Sequence, residues 1–198
     1  MPNTWTTPRT WTPYEPVTRN LLNTYIRNQF LSVNFLSTRF VTTDTSVASV
    51  TLNLPASSEA VGCEIHAYVR AEGATQLLNA QLTSTGAVYH WQLNRYAGPT
   101  GSTATSAANS TSWVVGNLTG SSVEMAYTKI LLPDYNNTRT LKTFMSQNAA
   151  FLSTASTSGF ANQFSGMFFS TGMPTAITLF STAGNFSIGC EFSVYGMP

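Results

Sequence analysis

The sequence predicts an all-β protein: an antiparallel, jelly-roll-like β-sandwich preceded by an extended N-terminal arm and one short α-helix. About ten short runs alternate apolar and polar side chains, with turn residues but no helical pattern between them. This pattern is typical of a two-sheet antiparallel sandwich or barrel. The runs are unevenly spaced, with two long segments of small residues, which suits a jelly roll better than a simple meander.

The composition is polar without being charged. Charged residues make up 9% of the 198 residues, against roughly 25% in ordinary globular proteins. A hydrophobic content of 42% and an aromatic content of 12% argue against disorder. This balance is typical of extracellular or virion β-proteins. The net charge of +1 argues against a nucleic-acid partner. With neither a leader after Met1 nor a long apolar run, we expect no signal peptide and no membrane span.

Residues 1–18 are predicted to be an extended arm, because four prolines fix the backbone and remove hydrogen-bond donors. Its large aromatic side chains would be costly to leave in water, so we predict that the arm docks on another protein. The alternative is that it folds back on its own domain. The predicted docking residues are Trp5, Pro8, Arg9, Trp11 and Tyr14.

A short helix is predicted over residues 19–31, with Thr18 as its N-cap. A seam with alternating spacings of four and three predicts self-association. The alternative is that the helix packs on its own domain or on another protein. The predicted self-association residues are Leu22, Ile26, Gln29 and Val33, and the spacing continues to Leu36 and Phe40. The predicted division is therefore an anchoring arm and helix over 1–40 and a jelly roll over 41–198.

From about Arg39 onward the chain is predicted to be β-structure. The segments 97–112 and 147–162, which are small and polar, are predicted to be long surface loops. The predicted strands are 50–54, 63–70, 76–82, 88–95, 113–118, 123–132, 141–146, 164–170, 176–180 and 185–195.

The stretch 185–195 has the longest alternation, and it predicts one strand with a buried face and a wet face. Such a strand must lie between or against strands formed earlier in the chain. The residues predicted to be buried are Phe186, Ile188, Cys190, Phe192 and Val194.

Chemistry-bearing residues are few, and no motif for catalysis appears, so we expect no enzyme activity, no cofactor and no metal. A pair of carboxylates that converges through the fold remains a weaker alternative. His66 and His90 are predicted on outward faces without metal-site partners. Cys63 and Cys190 are predicted to be buried free thiols, with a disulfide between neighbouring strands as the alternative.

Aromatic residues near the predicted 97–112 loop form a candidate saccharide platform, because a flat ring beside amide donors suits a sugar. The alternative for Tyr89, Trp91 and Leu93 is that they belong to the core. The predicted glycan contacts are Tyr89, Trp91, Tyr96 and Trp113.

Two parts of the chain resemble proteins of tailed bacteriophages. The sequence TWTTPRTW at residues 4–11, with VT at 17–18 and LNTYIRN at 22–28, resembles an N-terminal segment of many tailed-phage virion proteins. The remainder resembles the β-sandwich domain of phage structural proteins. That likeness lies in EIHAYVR (64–70), YH (89–90), LPDYNNTR (132–139) and FSVYG (192–196).

The resemblance implies a non-enzymatic, homotrimeric appendage on the virion surface, assembled in the host cytoplasm. Its arm and helix would anchor it to other virion proteins, and its jelly roll would project. One role is a capsid decoration (cement) protein bound to the major capsid protein. The alternative is a receptor- or glycan-binding module of a tail or head fibre, which would present the segments 97–112 and 147–162 to host surface glycans.

Overall fold

The computed structural model describes residues 38–56, 60–73, 76–83, 88–97, 102–120, 125–139, 141–151, 159–169 and 172–197. Within these ranges there are twelve strands and no helix. In chain order the strands are β1 (Thr38–Thr42), β2 (Ser49–Asn53), β3 (Gly62–Val69), β4 (Gln76–Leu82), β5 (Tyr89–Ala97), β6 (Ser102–Ser110), β7 (Trp113–Leu118), β8 (Ala126–Leu132), β9 (Lys142–Phe151), β10 (Gly159–Phe168), β11 (Ala176–Ser181) and β12 (Glu191–Met197).

The predicted arm and helix lie outside the described residues, with all of the predicted docking and self-association residues. Phe40 is the exception among the residues of the helical seam. It belongs to β1, so the helical spacing does not extend to this position. β1 also crosses the predicted domain boundary at residue 40.

The strands described here form two antiparallel sheets. The large sheet has the order β1-β12-β3-β8-β9-β10-β5-β6, and the small sheet has the order β2-β11-β4-β7. Apolar side chains from strands of both sheets form one core, among them Ile65 and Phe192 from the large sheet and Leu52 and Leu179 from the small sheet. Two sheets around a common core are the arrangement of a β-sandwich, so the all-β prediction is confirmed.

The pairing of eight strands is nested. β1 pairs with β12, β2 with β11, β3 with β8, and β4 with β7. We call these eight strands the nested sandwich. Two hairpins interrupt them in sequence, β5–β6 between β4 and β7 and β9–β10 between β8 and β11. Both hairpins join the large sheet beyond β8, and we call these four strands the extension.

In strands of the nested sandwich, successive side chains face alternately outward and into the core. β2 and β8 alternate strictly between outward and buried residues, as period-two sequences predict. β7 is instead buried along its whole length. It is the edge strand of the small sheet, and it packs across β8, β9, β10 and β5 of the large sheet. β7 therefore joins the extension to the core.

The two predicted surface loops are largely strands, so that prediction is wrong. Residues 102–110 form β6, and residues 147–151 and 159–162 belong to β9 and β10. Apart from Phe151 and Phe160, these residues are small or polar and carry little apolar alternation. The β9·β10 and β5·β6 pairs are held by backbone hydrogen bonds, which do not depend on the kind of side chain.

The prediction of an unbroken strand over 185–195 is also wrong at its start. Phe186 is buried and forms isolated bridges with Val47 and Ala71. Gly189 has φ +82°, which breaks the extended path, and Ile188 is 57% exposed rather than buried. The strand begins only at Glu191. It does lie between two strands formed earlier, β1 and β3, as its alternation predicts.

Cys63 and Cys190 are both buried and free, as predicted. Cys63 lies opposite Gly196 in the β3·β12 pair, whereas Cys190 stands just before the other end of β12. Six residues of extended chain separate the two positions by roughly 20 Å. A disulfide requires Cα atoms within about 7 Å of each other, so the alternative of a disulfide is excluded.

Candidate functional site

The outer face of the large sheet, the side turned away from the small sheet, carries a group of polar aromatic and charged residues. Alternation in β3 puts Glu64, His66 and Tyr68 on this face. The antiparallel register with β8 sets Tyr68 beside Tyr127 and His66 beside Lys129. Residues far apart in sequence therefore meet on adjacent strands.

Hydrogen bonds connect four of these side chains. His66 Nε2 lies 2.5 Å from Glu64 Oε1, and His66 Nδ1 lies 2.8 Å from the Tyr127 hydroxyl. A neutral imidazole that carries its proton on Nε2 satisfies both contacts: it donates to Glu64 and accepts from Tyr127. Lys129 Nζ contacts the other carboxylate oxygen of Glu64 at 2.7 Å. The network holds the Tyr127 hydroxyl in place.

The pKa values of Glu64 and Tyr127 are shifted in directions that keep these two groups in their hydrogen-bonding states. Burial alone would raise the pKa of Glu64, but its hydrogen bonds to Lys129 and His66 and the charge of Lys129 together lower it. Burial raises the pKa of Tyr127, and neighbouring Tyr68 adds to the effect. At neutral pH Glu64 is therefore an acceptor, and Tyr127 remains a protonated donor.

Aromatic rings cluster around the network. The centroids of Tyr68 and Tyr127 lie 4.9 Å apart, and Tyr195 meets His66 edge to face at 5.1 Å. Tyr68 is 46% exposed. An exposed aromatic surface beside oriented polar groups is a common feature of ligand-binding and interaction sites.

A shallow depression of about 340 Å³ lies next to Tyr127 on the extension. Its floor is made by Ala149 of β9, which stands opposite Tyr127, and Ala161 of β10, which stands opposite Ala149. Gln147 and Gln163, also opposite each other, border the floor with exposed side chains. The small alanine side chains between larger neighbours create the depression.

Directly beneath this floor a buried amide network joins the two sheets. The backbone N–H of Asn117 in β7 donates to Asn148 Oδ1 at 2.9 Å, and the Asn162 amide donates to the same oxygen at 3.0 Å. Asn148 Nδ2 donates to Thr128 Oγ1 at 2.9 Å. The network fixes β8, β9 and β10 against β7, and with them the outer positions that form the depression.

The predicted glycan contacts do not form a platform. Tyr89 and Trp113 are fully buried, with ring centroids 4.8 Å apart, and Trp113 stacks on Phe144 at 4.5 Å. Leu82 N–H donates to the Tyr89 hydroxyl at 2.8 Å. The core interpretation therefore holds for Tyr89, and Trp91, only partly buried, packs against the core. Trp113, which was predicted only as a glycan contact, also belongs to the core. The side chain of Tyr96 lies outside the described part of the chain.

His66 and His90 both lie on the outer face, but they do not converge. His66 is on β3 and His90 is on β5, with β8, β9 and β10 between them. His90 packs on Phe169 at 4.5 Å and contacts Asn109 Oδ1 at 3.3 Å. Among the residues that the structure describes, no group of three or more His, Cys, Asp or Glu side chains is placed to hold a metal.

The sequence places Glu64, His66 and Tyr68 on one outward face, but it does not identify them as a site. To identify the site, one must also know that β8 pairs with β3, and the sequence does not show this pairing. The alternation of Tyr127 and Lys129 in β8 was a usable signal, because it puts an aromatic and a cation on one face. The alanine floor gave no such signal, because it lies in the segment predicted to be a loop.

The two thiols are not activated nucleophiles. Burial raises the pKa of the Cys63 thiol to about 12, and burial also raises that of Cys190.

In the described ranges no helix is long and apolar enough to cross a membrane. The fold and the outer face together define an antiparallel β-sandwich with a polar aromatic surface. Comparisons with protein-family models, curated proteins and solved structures give no match.

Proposed function

We propose that the nested sandwich is a jelly roll. A jelly roll has eight antiparallel strands in two sheets and is built from two Greek keys. The pairing of first with last strand, second with second to last, and so on inward supports this assignment. In this interpretation the extension consists of two hairpins inserted into a jelly roll, and both widen the same sheet.

We further propose that the protein is a non-enzymatic structural protein of a tailed-phage virion, specifically a trimeric capsid decoration protein. The N-terminal arm docks on the major capsid protein, the following helix mediates trimer formation, and the jelly roll projects outward. The observation that carries this proposal is the nested strand order, which follows a segment rich in Trp and Pro and similar to virion docking segments.

The position of β1 supports a projecting domain. β1, where the described chain begins, is one edge of the large sheet, and β6 is the opposite edge. Seven strand spacings separate them, or roughly 34 Å. A chain anchored through residues that precede β1 leaves the extension and its depression at the far side of the domain.

Quantitative mass spectrometry of purified virions tests the proposal by counting this chain against the major capsid protein. We expect a ratio comparable to that of the coat, and loss of the chain from particles when residues 1–37 are deleted. Absence from virions, or full retention of the deleted form, would refute it.

The second candidate is a receptor- or glycan-binding module of a tail or head fibre. The observation that favours it is the exposed depression beside Tyr127. A few tens of copies or fewer per virion would support this candidate over a decoration protein.

A further inference from the structure

We infer that the depression floored by Ala149 and Ala161 is a binding site for one neutral pyranose unit of a glycan. In this site Tyr127 supplies the aromatic contact, and Gln147 and Gln163 bind the hydroxyl groups. The inference is argued from the geometry of the outer face alone. It therefore does not depend on where the protein lies in a virion.

The shape of the depression fits a small ring. Its volume of about 340 Å³ lies at the lower end of the range for small-molecule sites, roughly 300–1,000 Å³. The floor is two methyl groups on paired strands, so a flat ligand can approach the sheet closely. A larger side chain at either alanine would occupy this space.

The chemistry of the border matches the two kinds of surface on a sugar. A pyranose has an apolar C–H face and a polar rim of hydroxyls. The Tyr127 ring offers an apolar contact surface, and each glutamine amide both donates and accepts hydrogen bonds. Gln147 and Gln163 stand side by side across the β9·β10 pair, so that both can reach hydroxyls of one ring.

The charges around the depression favour a neutral sugar over an acidic one. Among the side chains that the structure describes, the nearest cation on the outer face is Lys129, which lies beside Gln147 in the register and is paired with Glu64 at 2.7 Å. An acidic sugar needs an uncompensated cation for strong recognition, and Lys129 is already compensated. The border residues of the depression are themselves uncharged.

The aromatic side and the floor of the site are preorganised. The Tyr127 hydroxyl is held by His66 at 2.8 Å, and its ring packs against Tyr68. The buried Asn148 amide fixes β9 and β10 from below through its bonds to β7 and β8. Little conformational freedom remains to be lost in these groups when a ligand binds.

The test is a glycan array probed with the labelled full chain. The array carries oligosaccharides of neutral hexoses and N-acetylhexosamines, together with sialylated and uronate-containing counterparts. The neutral oligosaccharide retained most strongly is then titrated by calorimetry. We expect binding of neutral glycans, and we expect Ala161→Ile to weaken it by at least about tenfold, since the added side chain fills the floor.

Ala104→Ile is the matched control, because Ala104 is an exposed alanine on the outer face of β6, outside the depression. It is expected to bind like the parent chain. Tyr127→Phe, which keeps the ring, is expected to lose less affinity than Tyr127→Ala. Thermal melts identify any Tyr127 variant that fails to fold. In that case the binding of Ala161→Ile, compared with that of Ala104→Ile, tests the site. No retained glycan, retention of acidic glycans alone, or unchanged binding by Ala161→Ile would overturn the inference.

Discussion

The nested sandwich and the extension share one sheet but are built from different side chains. In β8 of the nested sandwich, large apolar residues such as Ile130 and Leu132 alternate with outward ones. In β6 of the extension, no side chain is larger than asparagine. The nested sandwich buries apolar area along its strands. The extension buries large apolar side chains mainly toward one end, at Tyr89, Phe144, Phe164 and Phe168, and elsewhere relies on its backbone ladder and on buried polar contacts with β7.

Those contacts are of two kinds. At one end of the extension Tyr89 and Phe144 pack with Trp113 of β7, and Phe168 stacks on Tyr89. At the other end the Asn148 amide bonds to Asn117 of β7. The comparison shows that a sheet can be widened with small polar strands when buried contacts fix them at both ends.

Trp113→Ala is expected to have the largest effect, a loss of about 3–5 kcal/mol of unfolding free energy. Trp113 is fully buried and contacts aromatic rings of β5 and β9. Urea unfolding measures the loss, with half-buried Leu77→Ala as the control of small effect. If the two regions form one cooperative unit, the variant unfolds in a single transition. A separate early transition would show that the extension is independent.

Asn148→Ala is expected to cost about 2–3 kcal/mol, because it leaves buried polar groups of Asn117, Asn162 and Thr128 without a partner. Urea unfolding again gives the value. Its sequence neighbour Gln147 points outward, and Gln147→Ala is expected to change stability by less than about 0.5 kcal/mol. Equal effects of the two variants would contradict the conclusion that the Asn148 amide anchors the extension to β7.

Gly166→Ala is expected to cost about 1–3 kcal/mol through overpacking. A Cβ at this position would overlap the Phe144 ring and the backbone oxygen of His90. Thermal unfolding is the measurement, and exposed Ser165→Ala is the control. A neutral result at Gly166 would mean that the aromatic end of the extension repacks easily and anchors less than the amide end.

Lys129→Met is expected to have the smallest effect, about 0.2–1 kcal/mol at pH 7, since the ion pair with Glu64 is partly exposed. The pKa of Glu64 is lower in the folded state than its ordinary value of 4.5. The ion pair therefore stabilises the fold above that ordinary value, and its contribution is lost as pH falls through the lowered pKa.

The measurement for this variant is the free energy of unfolding between pH 2 and pH 7. The difference between Lys129→Met and the parent is expected to shrink toward zero at the acid end. Arg139→Met removes the same charge from an exposed turn and serves as the control. A difference that stays constant with pH would contradict the role of the Glu64–Lys129 pair.

The nested sandwich was predictable because its strands carry the alternation that burial on one side requires. Cys63, Ile65, Ala67 and Val69 all point to the core, as the sequence of β3 predicts. The extension was not predictable in this way. Asn148 and Asn162 are buried, yet nothing in a single strand shows that an asparagine has partners on neighbouring strands.

The candidate site was predictable only in part for the same reason. The outward positions of Glu64, His66 and Tyr68 follow from one strand. Their contact with Tyr127 depends on the register between β3 and β8, which turn chemistry and core packing determine together. The depression requires the register of three strands at once, and two of them lie partly in the segment predicted to be a loop.

The interior position of β12 determines when a newly made chain can finish folding. Its neighbours β1 and β3 come earlier in the chain. Neither can form its backbone hydrogen bonds with β12 before residues 191–197 have left the ribosome. Until then the large sheet has an open gap inside it, with unpaired backbone on both sides, which favours pairing with other nascent chains. Completion of the large sheet therefore depends on pairing between strands far apart in sequence, and pairing of this kind is slow.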